Sequence, residues 1–333
     1  MRSTFFGRRP LYPHLRQRVA LQAFRALHFM QIFTRSKRSS ASGNRAMIGR
    51  PTPHIYPKPV SITACLKDRG PVELHVRIIR LPGIHHDANA VIFSGSDSTI
   101  LVDAGTTWYQ MLQVERITGH LGDDVGLERI LLTSQRYPFA GGAKHISSEF
   151  GEIPIHIHSD AVSVMQTGDF YSTWANRYDS DMPSTECEPL SQGDSFKLGD
   201  GELVALSLPG HCSDGMGFFE KDRGVLTAGA ILPRADNPSR WDMPGGSLPE
   251  MITSLKTIHD LSPSSIVPAR GPAIRGNGRI DEVLNQHINF LESCLENDGK
   301  APRSWPRPAR TAYFLVADPP WPLVEKEASG GNK

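Results

Sequence analysis

Acidic residues are missing from the first 67 positions, which hold ten arginines and three lysines. Cysteine is scarce: four residues, at 65, 187, 212 and 294, with no C-x-x-C pair. That pattern excludes a disulfide framework and a thiolate zinc site and suits free thiols in a reducing compartment. No run of 18 apolar residues exists, so no transmembrane helix is expected. Neither H-E-x-x-H spacing nor an internal repeat is present. Beyond residue 67 the balance reverses to 23 basic and 35 acidic residues. That net charge of −12 argues against nucleic-acid binding by the body.

The acid-free segment contains Leu15 to Phe33, where arginines 16, 18 and 25 interrupt an apolar run, followed by the serine-rich TRSKRSSASGNR. Arg-rich, Ser-containing and potentially amphipathic, residues 1 to 67 have the composition of a mitochondrial or plastid transit peptide. The alternatives are a cytoplasmic protein whose true initiator is Met47, or a basic arm that touches nucleic acid or anionic lipid.

The rest of the 333 residues, 39% apolar overall, suffice for one large core. Apolar runs predict strands near 72 to 81, 90 to 94, 98 to 103, 129 to 133, 154 to 158, 202 to 208, 215 to 219 and 224 to 228. Helices are expected near 107 to 120, 141 to 150, 159 to 178, 247 to 261 and 279 to 298. LGDGE at 198 to 202 signals a hairpin. Phe170, Trp174 and Tyr178 recur every four residues, the mark of a packed helix face or, alternatively, a lid. Residues 299 to 333 are proline-rich and hold Trp305 and Trp321, as expected of a strap over the body or a partner-binding tail.

Five segments occur in a telling order: ILVDAG ending at Gly105, LLTSQRYPFAGG at 131 to 142, LPGHCSDGMGFF at 208 to 219, VLTAGAIL at 225 to 232 and IVPARGP at 266 to 272. Together, across roughly residues 71 to 298, they resemble the metallo-β-lactamase superfamily, in its glyoxalase II-like and hydrolase-like form. The resemblance implies an α/β fold, the αββα four-layer sandwich. It also places the metal-binding motif H-x-H-x-D-H on Ser134, Arg136, Pro138 and Phe139, with later ligands at His211, Ala230 and Arg270. Only His211 keeps a ligand identity. Asp103 falls on the acidic position that steadies the metal loop in the family.

Arginine stays protonated and has no lone pair to offer a metal. At an effective dielectric near 20, a divalent ion about 4 Å from one guanidinium would be repelled by roughly 8 kcal/mol. The expectation is therefore a degenerate site with no metal and no cofactor, a pseudoenzyme that binds an anionic small molecule or a protein partner. Arg136 and Arg270 are expected to converge with His211 on the old cavity as an anion site, or else to pair with internal carboxylates. His211 is read as a fixed turn residue or a lone base, and Cys212 beside it as an accidental neighbour. The alternative is an active hydrolase, thioesterase-like or glyoxalase II-like, using zinc on ligands rebuilt from His85, His86, His145, His156 and His158.

Overall fold

The computed structural model describes residues 76–121 and 126–300. The basic segment 1–67 with its transit-peptide reading, positions 72 to 75 of the first expected strand, and the tail beyond residue 300 lie outside the described residues.

The first sheet has six strands in sequence order: β1 (Arg77–Leu81), β2 (Ala90–Ser94), β3 (Thr99–Val102), β4 (Leu127–Leu131), β5 (Ile155–His158) and β6 (Glu188–Leu190). Pairs β1·β2 and β2·β3 are antiparallel hairpins, whereas β3 through β6 run parallel. Parallel neighbours need crossovers, here supplied by α1 (Gln110–Thr118), α2 (Tyr137–Ala140) with α3 (Ala143–Glu149), and α4 (Val162–Thr167). β2 and β3 are β-branched and aromatic runs buried on both faces, AVIFS and TILV.

The second sheet comprises β7 (Ser195–Lys197), β8 (Glu202–Ser207), β9 (Met216–Glu220), β10 (Val225–Gly229), β11 (Ser265–Pro268) and β12 (Ile274–Arg275), again in sequence order. The LGDGE turn joins β7 to β8 as an antiparallel hairpin. Helix α5 (Leu248–Leu261) crosses from β10 to its parallel partner β11, and α6 (Asn277–Glu296) follows β12. Ser247 caps α5 by accepting from Glu250 N at 3.4 Å.

Three apolar clusters account for the stacking. Between the sheets, Val91, Phe93, Ile100 and Val102 of the first meet Leu203, Ala205, Met216 and Phe218 of the second. Outside the first sheet, Ile92, Leu101 and Ile130 pack with Ile117, Ile146 and Met165 of the helices. Outside the second, Leu226 and Ile266 pack with Met251, Leu255, Val283 and Leu291. The result is helix, sheet, sheet, helix: the four-layer αββα sandwich.

One expected element is corrected. No helix spans 159 to 178, because Gly168 takes the left-handed conformation at φ 62° and ends α4 at Thr167. A side chain there would put its Cβ 2.6 Å from Met182 O. Phe170, Trp174 and Tyr178 therefore belong to an irregular segment, not a helix face, with only a short 3-10 turn at Ala175–Tyr178. Strands β6, β7, β11 and β12 add to those read from the sequence.

Candidate functional site

The site forms where β3 and β4 end beside β9 and β10. Asp103, just past β3, adopts φ 61°, a left-handed conformation that Asp and Asn tolerate better than most residues. Its backbone N–H donates to Leu131 O at 2.9 Å. Its carboxylate accepts from Thr133 N at 2.8 Å and from Thr133 Oγ1 at 2.8 and 3.0 Å. The chain leaving β4 is thus clamped before it turns into α2. Thr133 O in turn accepts from Met216 N at 2.9 Å, which ties the two sheets together at this point. Burial raises the Asp103 carboxyl to about 7, against the opposing pull of the Thr133 bonds. Gly142 is required by close approach: its N–H donates to Gly105 O at 2.9 Å, and a Cβ would lie 2.7 Å from Ala104 O.

The positions that the resemblance assigns to metal ligands are buried. Ser134, Pro138, Phe139 and Ala230 are all buried, as is all of α2. Arg136 is 1% exposed, and its guanidinium donates to the carbonyls of Ser172 and, at 2.9 Å, Pro244. It also stacks 5.0 Å from the Trp174 ring centroid, and its Nε–H has no hydrogen-bond partner among the described residues. No carboxylate pairs with it among the described residues. His211, also 1% exposed, directs Nδ1 at Arg240 O, 3.0 Å away. A carbonyl only accepts, so Nδ1 carries the proton and Nε2 holds the lone pair. Nε2 is buried without a hydrogen-bond partner among the described residues. Ser239 Oγ lies 3.0 Å from Nδ1 and donates to Ala230 O at 2.8 Å. Burial, reinforced by the Arg136 charge, pushes His211 down to about 3.

Arg270 belongs to a neighbouring group. It is 9% exposed, donates to His85 O, and lies in the field of Tyr178 and Asp87. Burial lowers it to about 9. Asp87 accepts from Thr106 N at 2.9 Å and from Thr106 Oγ1 at 2.6 Å. Asn89 anchors the turn that carries Arg270, donating through Nδ2 to Pro268 O at 2.8 Å and Gly271 O at 3.0 Å. Arg136 and His211 are thus neighbours beside Trp174, Arg270 sits with His85 and Asp87, and Tyr178 lies in the field of Arg270, Arg177 and Arg136 alike.

The remaining histidines do not converge. His85 meets the Tyr109 hydroxyl at 2.7 Å, and His86 packs edge-on against Trp108 and Tyr178. His145 lies against Met111 and Glu149. His156 faces Glu188 and Phe196, and His158 accepts from Asp160 N. Cys212 lies 3.4 Å from Ser134 Oγ, with burial raising its thiol far above the usual range. Among the described residues no group of three or more His, Cys, Asp or Glu could hold a metal ion. At the inherited positions one imidazole faces an arginine, so this donor set does not fit zinc or iron. The described residues include no helix long and apolar enough to cross a membrane.

Several participants carry no motif: Trp174, Arg177, Asn89, Ser239, and the carbonyls of Ser172, Arg240 and Pro244. The last two lie in the loop between β10 and α5, whose contacts with Arg136 and His211 appear only in three dimensions.

This frame of two stacked sheets between helices defines the class. The metallo-beta-lactamase superfamily model matches residues 85–270, and the chain belongs to that superfamily. It is 25% identical over 184 residues to an uncharacterised protein of Aquifex aeolicus, covering 55% of this chain and 82% of that one. It is 24% identical over 224 residues to the acyl-coenzyme A thioesterase MBLAC2 of Gallus gallus, covering 61% and 73%. The fold also matches the crystal structure of the B3 metallo-beta-lactamase BLEG-1, with TM-score 0.55, 17% identity, and coverage of 65% of this chain and 99% of that one.

Proposed function

We propose that this chain is a metal-free member of the superfamily whose old cavity is closed by Arg136, and that it binds an anionic ligand at the rim of that cavity. The observation that carries the reading is the Arg136 guanidinium, which is buried among ligand positions and held by two backbone carbonyls and an indole face. A buried cation there repels a metal and leaves no means of lowering the pKa of a bound water to about 7. The sequence left two outcomes for the arginines, an open pocket or internal carboxylates. Arg136 follows neither, so recognition moves outward to groups that solvent reaches. Delivery of the chain to a mitochondrion or plastid by residues 1–67 is part of the proposal, and localising a fluorescent fusion of that segment tests it.

One observation favours a second reading, an active hydrolase of thioesterase or glyoxalase II type: the activity for which the Gallus gallus relative is named. Elemental analysis of the purified full chain for zinc, iron and manganese, with an acyl-coenzyme A hydrolysis assay, separates the two. Metal content near zero and no hydrolysis with or without added zinc are expected. One or two metals per chain, lost in His211→Ala, would overturn the metal-free reading.

A further inference from the structure

We propose that Trp174, Arg177 and Arg240 form a phosphoryl-binding site on the rim, with Arg136 beneath them supplying buried positive charge. This deepens the rim-binding reading and rests on it, but does not depend on the cavity being free of metal.

Three guanidinium carbons lie around one indole: Arg177 at 4.6 Å, Arg136 at 5.0 Å and Arg240 at 5.5 Å from the ring centroid. They come from three separate segments, so no single helix or turn accounts for the gathering. Trp174 reaches the position with φ 64° and ψ 17°, a conformation disfavoured for a bulky side chain. The ring face attracts each cation, while three like charges gathered around one ring repel one another.

A carboxylate pairs with one of the three, Arg240. Asp242 takes Arg240 in a two-pronged pair, Nε to Oδ1 at 2.8 Å and Nη2 to Oδ2 at 2.7 Å. Arg136 has only backbone carbonyls. Arg177 is exposed, and among the described residues its side chain meets the indole but no carboxylate. Arg136 and Arg177 are thus two cations that meet no carboxylate among the described residues. A carboxylate ligand satisfies a single planar fork, whereas a phosphoryl group carries nearly two negative charges at neutral pH and offers oxygens in three directions. The charge of Arg136 and Arg177 matches the latter, as does the approach of three guanidinium groups from three segments. Arg177 is the clamp, free to move onto the ligand, and Arg240, already oriented by Asp242, is the fixed wall.

The test is isothermal titration of the full chain with inorganic phosphate and pyrophosphate in low-salt buffer with a chelator, with acetate as the carboxylate control. Saturable binding of both phosphates is expected, weakened about tenfold or more by Arg177→Ala and partly recovered in Arg177→Lys. Arg177 is exposed, so the variant should keep the wild-type melting temperature. Absence of saturable phosphate binding, unchanged binding by Arg177→Ala, or acetate binding as tight as phosphate would each overturn the site. Metal analysis of the same protein before the chelator is added keeps the two proposals apart. Phosphate binding lost in Arg177→Ala alongside stoichiometric zinc refutes the metal-free reading alone, and no metal with no phosphate binding refutes this site alone.

Discussion

Asp103→Asn should make the protein more stable at pH 8, although it removes a carboxylate that accepts three hydrogen-bond contacts. Asp103 is buried, and its carboxyl is raised from 3.8 to about 7 because burial outweighs the bonds from Thr133. A folded-state value above the unfolded one means that the protonated form is favoured in the fold. The associated stability is complete below about pH 4 and is lost as pH rises through 7. A difference of about three units at 1.36 kcal/mol each sets the loss at about 4 kcal/mol. Asparagine keeps the shape, accepts from Thr133 N through Oδ1, and can donate to Thr133 Oγ1 through Nδ2. It also tolerates φ 61° at least as well as aspartate. The variant should therefore lie within about 1 kcal/mol of wild type at pH 4.5 and exceed it by about 3 kcal/mol at pH 8. Urea denaturation of both proteins at pH 4.5, 6 and 8 measures the difference, and every other titrating group cancels in the comparison. If the two stability curves stay parallel across that range, Asp103 is ionised throughout and the balance assigned here between burial and hydrogen bonding is wrong.

Two further outcomes follow from close contacts near the same loop. Gly142→Ala puts a Cβ 2.7 Å from Ala104 O, where backbone on both sides limits relaxation, and should cost about 2 kcal/mol in chemical denaturation; a loss under about 0.5 kcal/mol would mean the approach is looser than described. Cys212, buried with its thiol raised and Asp214 close by, should resist iodoacetamide at pH 8 in the native protein and react only on unfolding, as mapped by peptide mass spectrometry.

The sandwich was legible because its central strands announce themselves. AVIFS, TILV and VLTAG are apolar runs bounded by turns, and the structure places them within a residue or two of the expected limits. The short strands were not legible. β6 contains Pro189 and has three residues, and β12 has two, so neither offers a period to read. The four-residue recurrence of Phe170, Trp174 and Tyr178 misled because spacing carries no backbone information. Gly168 and the left-handed Trp174 break any helix there. At the site, Asp103, Ser134 and Ala230 lie just past strands read from the sequence, β3, β4 and β10, whereas Arg270 follows β11, which was not read. The motif frame could not show that Arg270 and Arg136 share Tyr178 as a neighbour, or that the loop after β10 supplies carbonyls holding Arg136 and His211. Those depend on which loops fold over the sheet ends, and loop paths leave no periodic trace.

His211 decides whether acid–base chemistry is possible beside Arg136. A working base or acid needs a pKa near the operating pH, so that both protonation states are accessible. Here the lone pair on Nε2 is buried, and the guanidinium of Arg136 penalises a second positive charge beside it. With its value pushed to about 3, the ring is neutral at pH 7, unable to donate a second proton and too weak to hold one. Nuclear magnetic resonance of the imidazole protons should show no titration of His211 between pH 5 and 8. In Arg136→Met the value should rise, because one cause is removed, yet remain below 6.5, because burial is the larger cause and persists. A wild-type His211 that titrates near 6 to 7 would mean that water reaches Nε2, and with it the proton-shuttling role that Arg136 otherwise suppresses.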